Sequence, residues 1–163
     1  MAATAQNAVG RVKPCRLIDL EQHTDARGSL SVLEAHRVGG FAVQRVYFLH
    51  DVAPRASRGA HGHRSLEQIF IAVHGGFTIS VDDGFRRERY RLDDPGTGLY
   101  VGPMVWRDLS DFTPDAVALV LASLPYDETD YFRDYDAFLT GARDLTGAQG
   151  LNSARAHATE ATP

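Results

Sequence analysis

Short apolar or alternating runs, each stopped by turn residues, occupy nearly the whole middle of this sequence. They are Cys15–Leu20, Ser29–Glu34, Phe41–Leu49, Leu66–Val73, Phe77–Val81, Arg87–Leu92, Leu99–Val101, Val105–Leu109 and Ala116–Ser123. Between them stand Asp25-Ala26-Arg27-Gly28, Gly39-Gly40, His74-Gly75-Gly76, Asp82-Asp83-Gly84 and Asp93-Asp94-Pro95-Gly96. Asp-Gly and Gly-Gly pairs supply the positive φ angles that tight hairpins need. Many short strands at regular spacing predict an all-β sandwich or barrel. Only Asp130 to Gly141 has helical spacing: Tyr131, Tyr135, Phe138 and Leu139 recur every three or four residues, and Gly141 is placed as a C-cap. The expected fold is all-β with one short C-terminal helix.

With 163 residues, the chain can hold one sizeable core but not two. Residues 1–12 are Ala-rich and patternless, and residues 146–163 are small and polar. Such segments bury too little to offset the entropy of ordering. The domain is therefore expected over 13–145, between two flexible tails. The net charge of −4 excludes a general nucleic-acid binder, whose affinity rests on many cation–phosphate contacts. Of the 17 basic residues only Lys13 is lysine, and arginine suits bidentate phosphate recognition. Cys15 is the single cysteine, so neither an internal disulfide nor a cysteine-held zinc is available. No signal-peptide pattern stands at Met1 to Gly10, and no apolar run approaches the roughly 18 residues of a membrane span. These features predict a soluble cytoplasmic protein with no membrane partner.

The densest group of reactive side chains is Arg58-Gly59-Ala60-His61-Gly62-His63-Arg64-Ser65-Leu66-Glu67-Gln68. Residues two apart on a strand share a face, so His61 and His63 point the same way. The pair could be solvated at a strand end. It could bind a metal, since His61, His63 and Glu67 resemble the first motif of metal-binding cupins. The later segment Gly98 to Arg107 has that fold's Gly and Pro, but Trp106 and Arg107 stand where the last ligand belongs. Zinc and iron sites need three or more placed ligands, so no metal is expected. The pair could instead move protons, because an imidazole near neutrality can both take and give one. Arg45 and Tyr47 share one face of their strand and could serve a developing oxyanion. A buried guanidinium needs an anionic partner, and a bound phosphate would suit it. The pairs Arg27-Gly28 and Arg58-Gly59 are either turn chemistry or close backbone approaches to a ligand.

Together the ordered motifs Asp25-x-Arg27-Gly28-x-Leu30-x-Val32, Arg45-x-Tyr47, Arg58-Gly59-x-His61-x-His63, Gly98-Leu99-Tyr100 with Pro103 and Trp106, and Tyr126-Asp127-Glu128-x-Asp130-Tyr131-x-Arg133-Asp134-Tyr135 resemble one family. It is the dTDP-4-keto-6-deoxyglucose 3,4-ketoisomerases related to the WxcM C-terminal domain. The resemblance implies a cupin-type double-stranded β-helix, or jelly-roll barrel, and a homodimer with exchanged N-terminal strands. It implies a dTDP-linked 4-keto-6-deoxy sugar as substrate and catalysis without metal or cofactor. It places His61 as the main base, with His63 and Tyr47 beside it. Arg27 becomes a pyrophosphate ligand donated from the exchanged region. Arg45, Gln68, Trp106 and Arg107 become further substrate contacts. Two alternatives share the barrel: a 3,5-epimerase on the same 4-keto sugar, and a non-catalytic sugar-nucleotide-binding cupin.

Overall fold

Alternation of inward apolar and outward polar residues becomes a two-sheet barrel in the computed structural model, which describes residues 14–144. The tails expected at 1–12 and 146–163 lie outside the described residues. The strands are β1 (Cys15–Asp19), β2 (Glu21–Asp25), β3 (Gly28–Val32), β4 (Arg45–Leu49), β5 (Arg58–His63), β6 (Gln68–His74), β7 (Phe77–Asp82), β8 (Arg87–Leu92), β9 (Thr97–Val101), β10 (Trp106–Ser110), β11 (Val117–Ala122) and β12 (Tyr131–Phe132). A single helical turn, α1, covers Ala35–Val38, a 3₁₀ turn covers Glu128–Asp130, and helix α2 runs over residues 135–144. One sheet has the order β1-β9-β6-β11-β4 and the other β12-β5-β10-β7-β8, while β2 and β3 form a separate hairpin. All paired strands are antiparallel. This is the all-β architecture that the strand pattern predicted, in the jelly-roll form that the resemblance implied. No helix of the described residues is long and apolar enough to cross a membrane.

The main core lies between the sheets. Phe70 and Ala72 of β6, Leu99 and Val101 of β9, and Ala118 and Val120 of β11 meet Phe77, Ile79 and Val81 of β7 and Leu109 of β10. The outward side of β6 is also covered: Ile69 and Ile71 pack with Ile18, Tyr100, Ala35 and Phe41. Burial on both faces explains why β6 reads as a continuous apolar run. A third cluster joins Phe132, Phe138 and Ala142 to Trp106, Tyr135 and Leu139, fixing α2 against the outer face of the second sheet. Gly62 makes that contact possible, since a Cβ there would lie 3.0 Å from Phe138 Cδ2. Burying one such phenylalanine contributes about 2–3 kcal/mol.

The structure corrects the expected helix. Tyr131 and Phe132 are strand, paired with His63 and Gly62 of β5, and the helix starts at residue 135. Gly141 lies within the helix rather than capping it. Its missing Cβ admits the Phe132 ring, whose Cζ would be 3.1 Å away. The expected strand Phe41–Leu49 shortens to Arg45–Leu49, because Phe41 turns into the outer cluster instead of pairing. β2 has no apolar alternation because every one of its residues is exposed.

Candidate active site

One end of the barrel interior is polar. The inward series is Gln68, Phe70, Ala72 on β6 and Arg45, Tyr47, Leu49 on β4; on β10 it is Arg107, Leu109. Registers bring the polar members to the same end: Ala122 pairs with both Arg45 and Gln68, and Arg107 pairs with His61 across the second sheet. A bulge next to that pair sets the aim of β5. Arg107 faces His61 but Asp108 faces Gly59, so Ala60 is left over, with φ of 53°. Gly59, at φ of 93°, passes so close that a Cβ would lie 3.0 Å from the Arg107 carbonyl oxygen. Bulges of this kind re-aim side chains beside functional sites.

His61 and His63 meet edge to face, with ring centroids 4.9 Å apart. Tyr131 closes on both, at 5.0 Å from His61 and 4.1 Å from His63. Gln68 Nε2 donates to the Tyr47 hydroxyl oxygen at 2.7 Å. The Arg45 guanidinium lies 5.4 Å from the Tyr47 ring and 5.7 Å from the Tyr126 ring. Arg107 is 1% exposed, and none of its three guanidinium nitrogens has a hydrogen-bond partner among the described residues. The same holds for His63 Nε2, Gln68 Oε1 and Arg45 Nε. Such a concentration of unpaired buried polar atoms is costly and marks a place built to receive a polar, electron-rich group.

The electrostatics follow from burial and from Arg107. Burial, then the Arg107 charge, pushes the His61 imidazole down to about 4 and His63 to about 2. Both rings are neutral at neutral pH and able to accept protons. Burial brings Arg107 down to about 10, so it keeps its charge. Burial raises Tyr47 above its ordinary value, so its hydroxyl stays protonated. Burial likewise pushes the Cys15 thiol up to about 12, which leaves it a core side chain with no nucleophilic character.

The structure thus gathers His61, His63, Tyr47, Arg45, Gln68 and Arg107 at one barrel end. It does not bring Trp106 there. Trp106 points out of the opposite face of β10 and packs on Tyr135 and Phe138, with centroids 5.2 and 5.7 Å away. Glu67 also turns outward, where the Tyr100 hydroxyl donates to its carboxylate, so His61, His63 and Glu67 form no common ligand set. Arg27 stands at the tip of the β2–β3 hairpin, 90% exposed and paired with Asp25. Within this chain it is not among the residues around His61. Two residues of the site were missed by sequence reasoning. Asp130 lies 2.9 Å from His63 Nδ1, and Tyr131 stacks beside both imidazoles. Their only signal was membership of the Tyr126 to Tyr135 motif.

Comparison with known proteins places this geometry. The family described as FdtA: WxcM-like, C-terminal matches residues 13–143. A curated TDP-4-oxo-6-deoxy-alpha-D-glucose-3,4-oxoisomerase from Aneurinibacillus thermoaerophilus is 42% identical over 123 residues, covering 76% of this chain and 88% of that protein. A histidine-to-asparagine variant of the 3,4-ketoisomerase QdtA from Thermoanaerobacterium thermosaccharolyticum, solved with TDP-4-keto-6-deoxyglucose, superposes with a TM-score of 0.80 at 36% identity, covering 82% of this chain and 97% of that one. The WlaRB TDP-quinovose 3,4-ketoisomerase from Campylobacter jejuni gives 0.76 at 41% identity, covering 79% and 99%. This chain belongs to the WxcM-like, C-terminal family of sugar-nucleotide 3,4-ketoisomerases.

Proposed function

We propose that this protein converts dTDP-4-keto-6-deoxyglucose to a dTDP-3-keto-6-deoxyhexose through an enediolate, with His61 as the base. The observation that carries this reading is the pair of neutral imidazoles facing the unpaired, buried Arg107 at one barrel end. The carbonyl at C4 acidifies the hydrogen on C3. His61, neutral at physiological pH, removes it. Negative charge then develops on the sugar oxygens, where Arg107 and the Tyr47 hydroxyl are the donors at hand. Losing one such donor typically costs ~10²–10³ in rate. The low basicity of His61 favours return of the proton, now to C4, which leaves the ketone at C3. Arg45 and Gln68 border the same space and are assigned to substrate contact.

The assembly proposed is a homodimer with exchanged N-terminal strands. Its support is the β2–β3 hairpin, which forms a two-stranded sheet separate from the two barrel sheets, with every β2 residue exposed and Leu30 61% exposed. The outward side chains of edge strand β4, Val46 and Phe48, are likewise 55% and 59% exposed. Exchange would carry Arg27 toward the partner's barrel mouth as a ligand for the substrate's pyrophosphate. A reducing, cytoplasmic compartment fits the single unpaired thiol of Cys15.

The test is His61→Asn. This variant should keep the fold and dTDP affinity while losing most turnover. Near-native turnover would remove His61 from the role of base.

A further inference from the structure

Gln68 opens β6 at the polar end of the barrel, fully buried and paired in the ladder with Ala122 on one side and Val101 on the other. Tyr47 lies two strands away on β4, beyond β11. Neighbouring strands stand about 4.8 Å apart, so side chains of β6 and β4 meet only by reaching across β11. Ala122 leaves room for that. It is the β11 partner of both Gln68 and Arg45, it is buried in alternation with Ala118 and Val120, and it offers only a methyl group. Over this gap Gln68 Nε2 donates to the Tyr47 hydroxyl oxygen at 2.7 Å. A phenol hydroxyl carries one hydrogen and accepts beside it. With an amide N–H on the oxygen, its own hydrogen must take the other direction. Among the described residues that hydrogen has no acceptor, and Gln68 Oε1 has no partner. The cations acting on Tyr47, Arg107 and Arg45, can only donate.

We propose that Gln68 is a positioning residue: its amide N–H occupies the acceptor side of the Tyr47 hydroxyl, so that the O–H is held out as a donor to the enediolate oxygen. This role rests on the ketoisomerase activity proposed above. Tyr47 gives a hydrogen bond and keeps its proton, as its burial favours. Without Gln68 the phenol oxygen is free to accept from a guanidinium N–H and to turn its hydrogen away from the sugar. Gln68 Oε1 stays available for the substrate contact assigned to this residue. The aimed O–H gains most when charge develops on the sugar oxygen, so its loss falls on kcat, whereas a lost Oε1 contact falls on KM.

Steady-state kinetics with dTDP-4-keto-6-deoxyglucose test this in variants of the full chain. Gln68→Met keeps the length of the side chain and removes a buried, unpaired oxygen, so folding is not at risk. Its kcat should fall about tenfold, the worth of one ordinary hydrogen bond. Tyr47→Phe should lose ~10²-fold. Because Gln68 acts through Tyr47, the double variant should stay within about threefold of Tyr47→Phe alone. Gln68→Glu keeps the shape, but its carboxylate accepts the Tyr47 hydrogen and draws it from the sugar, so kcat should fall further than in Gln68→Met. In the native protein, proton NMR should show Overhauser contacts from the Gln68 side-chain amide to the Tyr47 ring. A kcat within about threefold of native in either Gln68 variant overturns the proposal, as does a double variant that loses a further tenfold or so. A Gln68 amide with no contact to the Tyr47 ring overturns it as well. If the native protein moves no ketone at all, the ketoisomerase activity falls instead, and the Overhauser contact alone decides how the amide is turned.

Discussion

Replacing Arg107 with methionine should make the protein more stable and nearly inactive. The guanidinium is 1% exposed, and all three of its nitrogens lack partners among the described residues. Two neighbouring imidazoles are held neutral in part by its charge. Replacing buried ionic groups by apolar side chains of similar volume is often stabilising by about 1–4 kcal/mol. Methionine follows the arginine stem and adapts to an irregular space. For a chain of this size about 3–4 °C accompanies each kcal/mol, so the melting temperature should rise by several degrees. Turnover should fall by ~10²–10³ or more, because the main cation facing the enediolate is gone. The acid limb of any remaining pH–rate profile should move upward, since Arg107 is the largest influence after burial that lowers His61. Circular dichroism melts and carbon-13 detection of the ketone would read both effects. A melting temperature lowered by several degrees with turnover intact would show instead that Arg107 serves the fold and not the reaction.

Acid should destabilise the fold before its carboxylates titrate. His61 is held at about 4 in the folded protein against an ordinary 6.5, so the unfolded chain binds more protons between those values and stability falls as pH drops through that window. Denaturant unfolding at pH 7 and pH 5 should differ by on the order of 1 kcal/mol from this source, and His61→Asn should shrink the difference. Subunit mixing tests the exchanged dimer: Arg27→Ala and His61→Asn, each inactive alone, should regain part of the turnover when unfolded and refolded together. No recovery from a mixture that does form dimers would place Arg27 outside the partner's site.

Residues whose role depends on strand alternation were legible in the sequence. Spacing by two put His61 with His63 and Arg45 with Tyr47, and the structure keeps both pairs together. Alternation also requires Trp106 and Arg107 to face opposite ways, but which one faces inward depends on register with β5. The bulge at Ala60 sets that register, and no periodicity announces it. Asp130 meets His63 from 67 positions away, through a turn rather than a strand, so local pattern could not pair them. Tyr131 and Phe132 were drawn into a helix because four aromatic and aliphatic residues happened to recur at helical spacing. Pairing with β5 outweighs that spacing. The β2 strand was hidden because a hairpin exposed on both faces carries no apolar alternation.

The defining event of this reaction is movement of the carbonyl between neighbouring carbons of a nucleotide-linked sugar. Incubating the native protein with dTDP-4-keto-6-deoxyglucose in D₂O and reading the product by carbon-13 NMR tests it most directly. The expected product has its ketone at C3, with deuterium entering where protons are exchanged with solvent. A ketone that stays at C4 with deuterium at C3 and C5 would mean a 3,5-epimerase, and no exchange at any carbon would mean a binding protein; either result would rule out 3,4-ketoisomerisation.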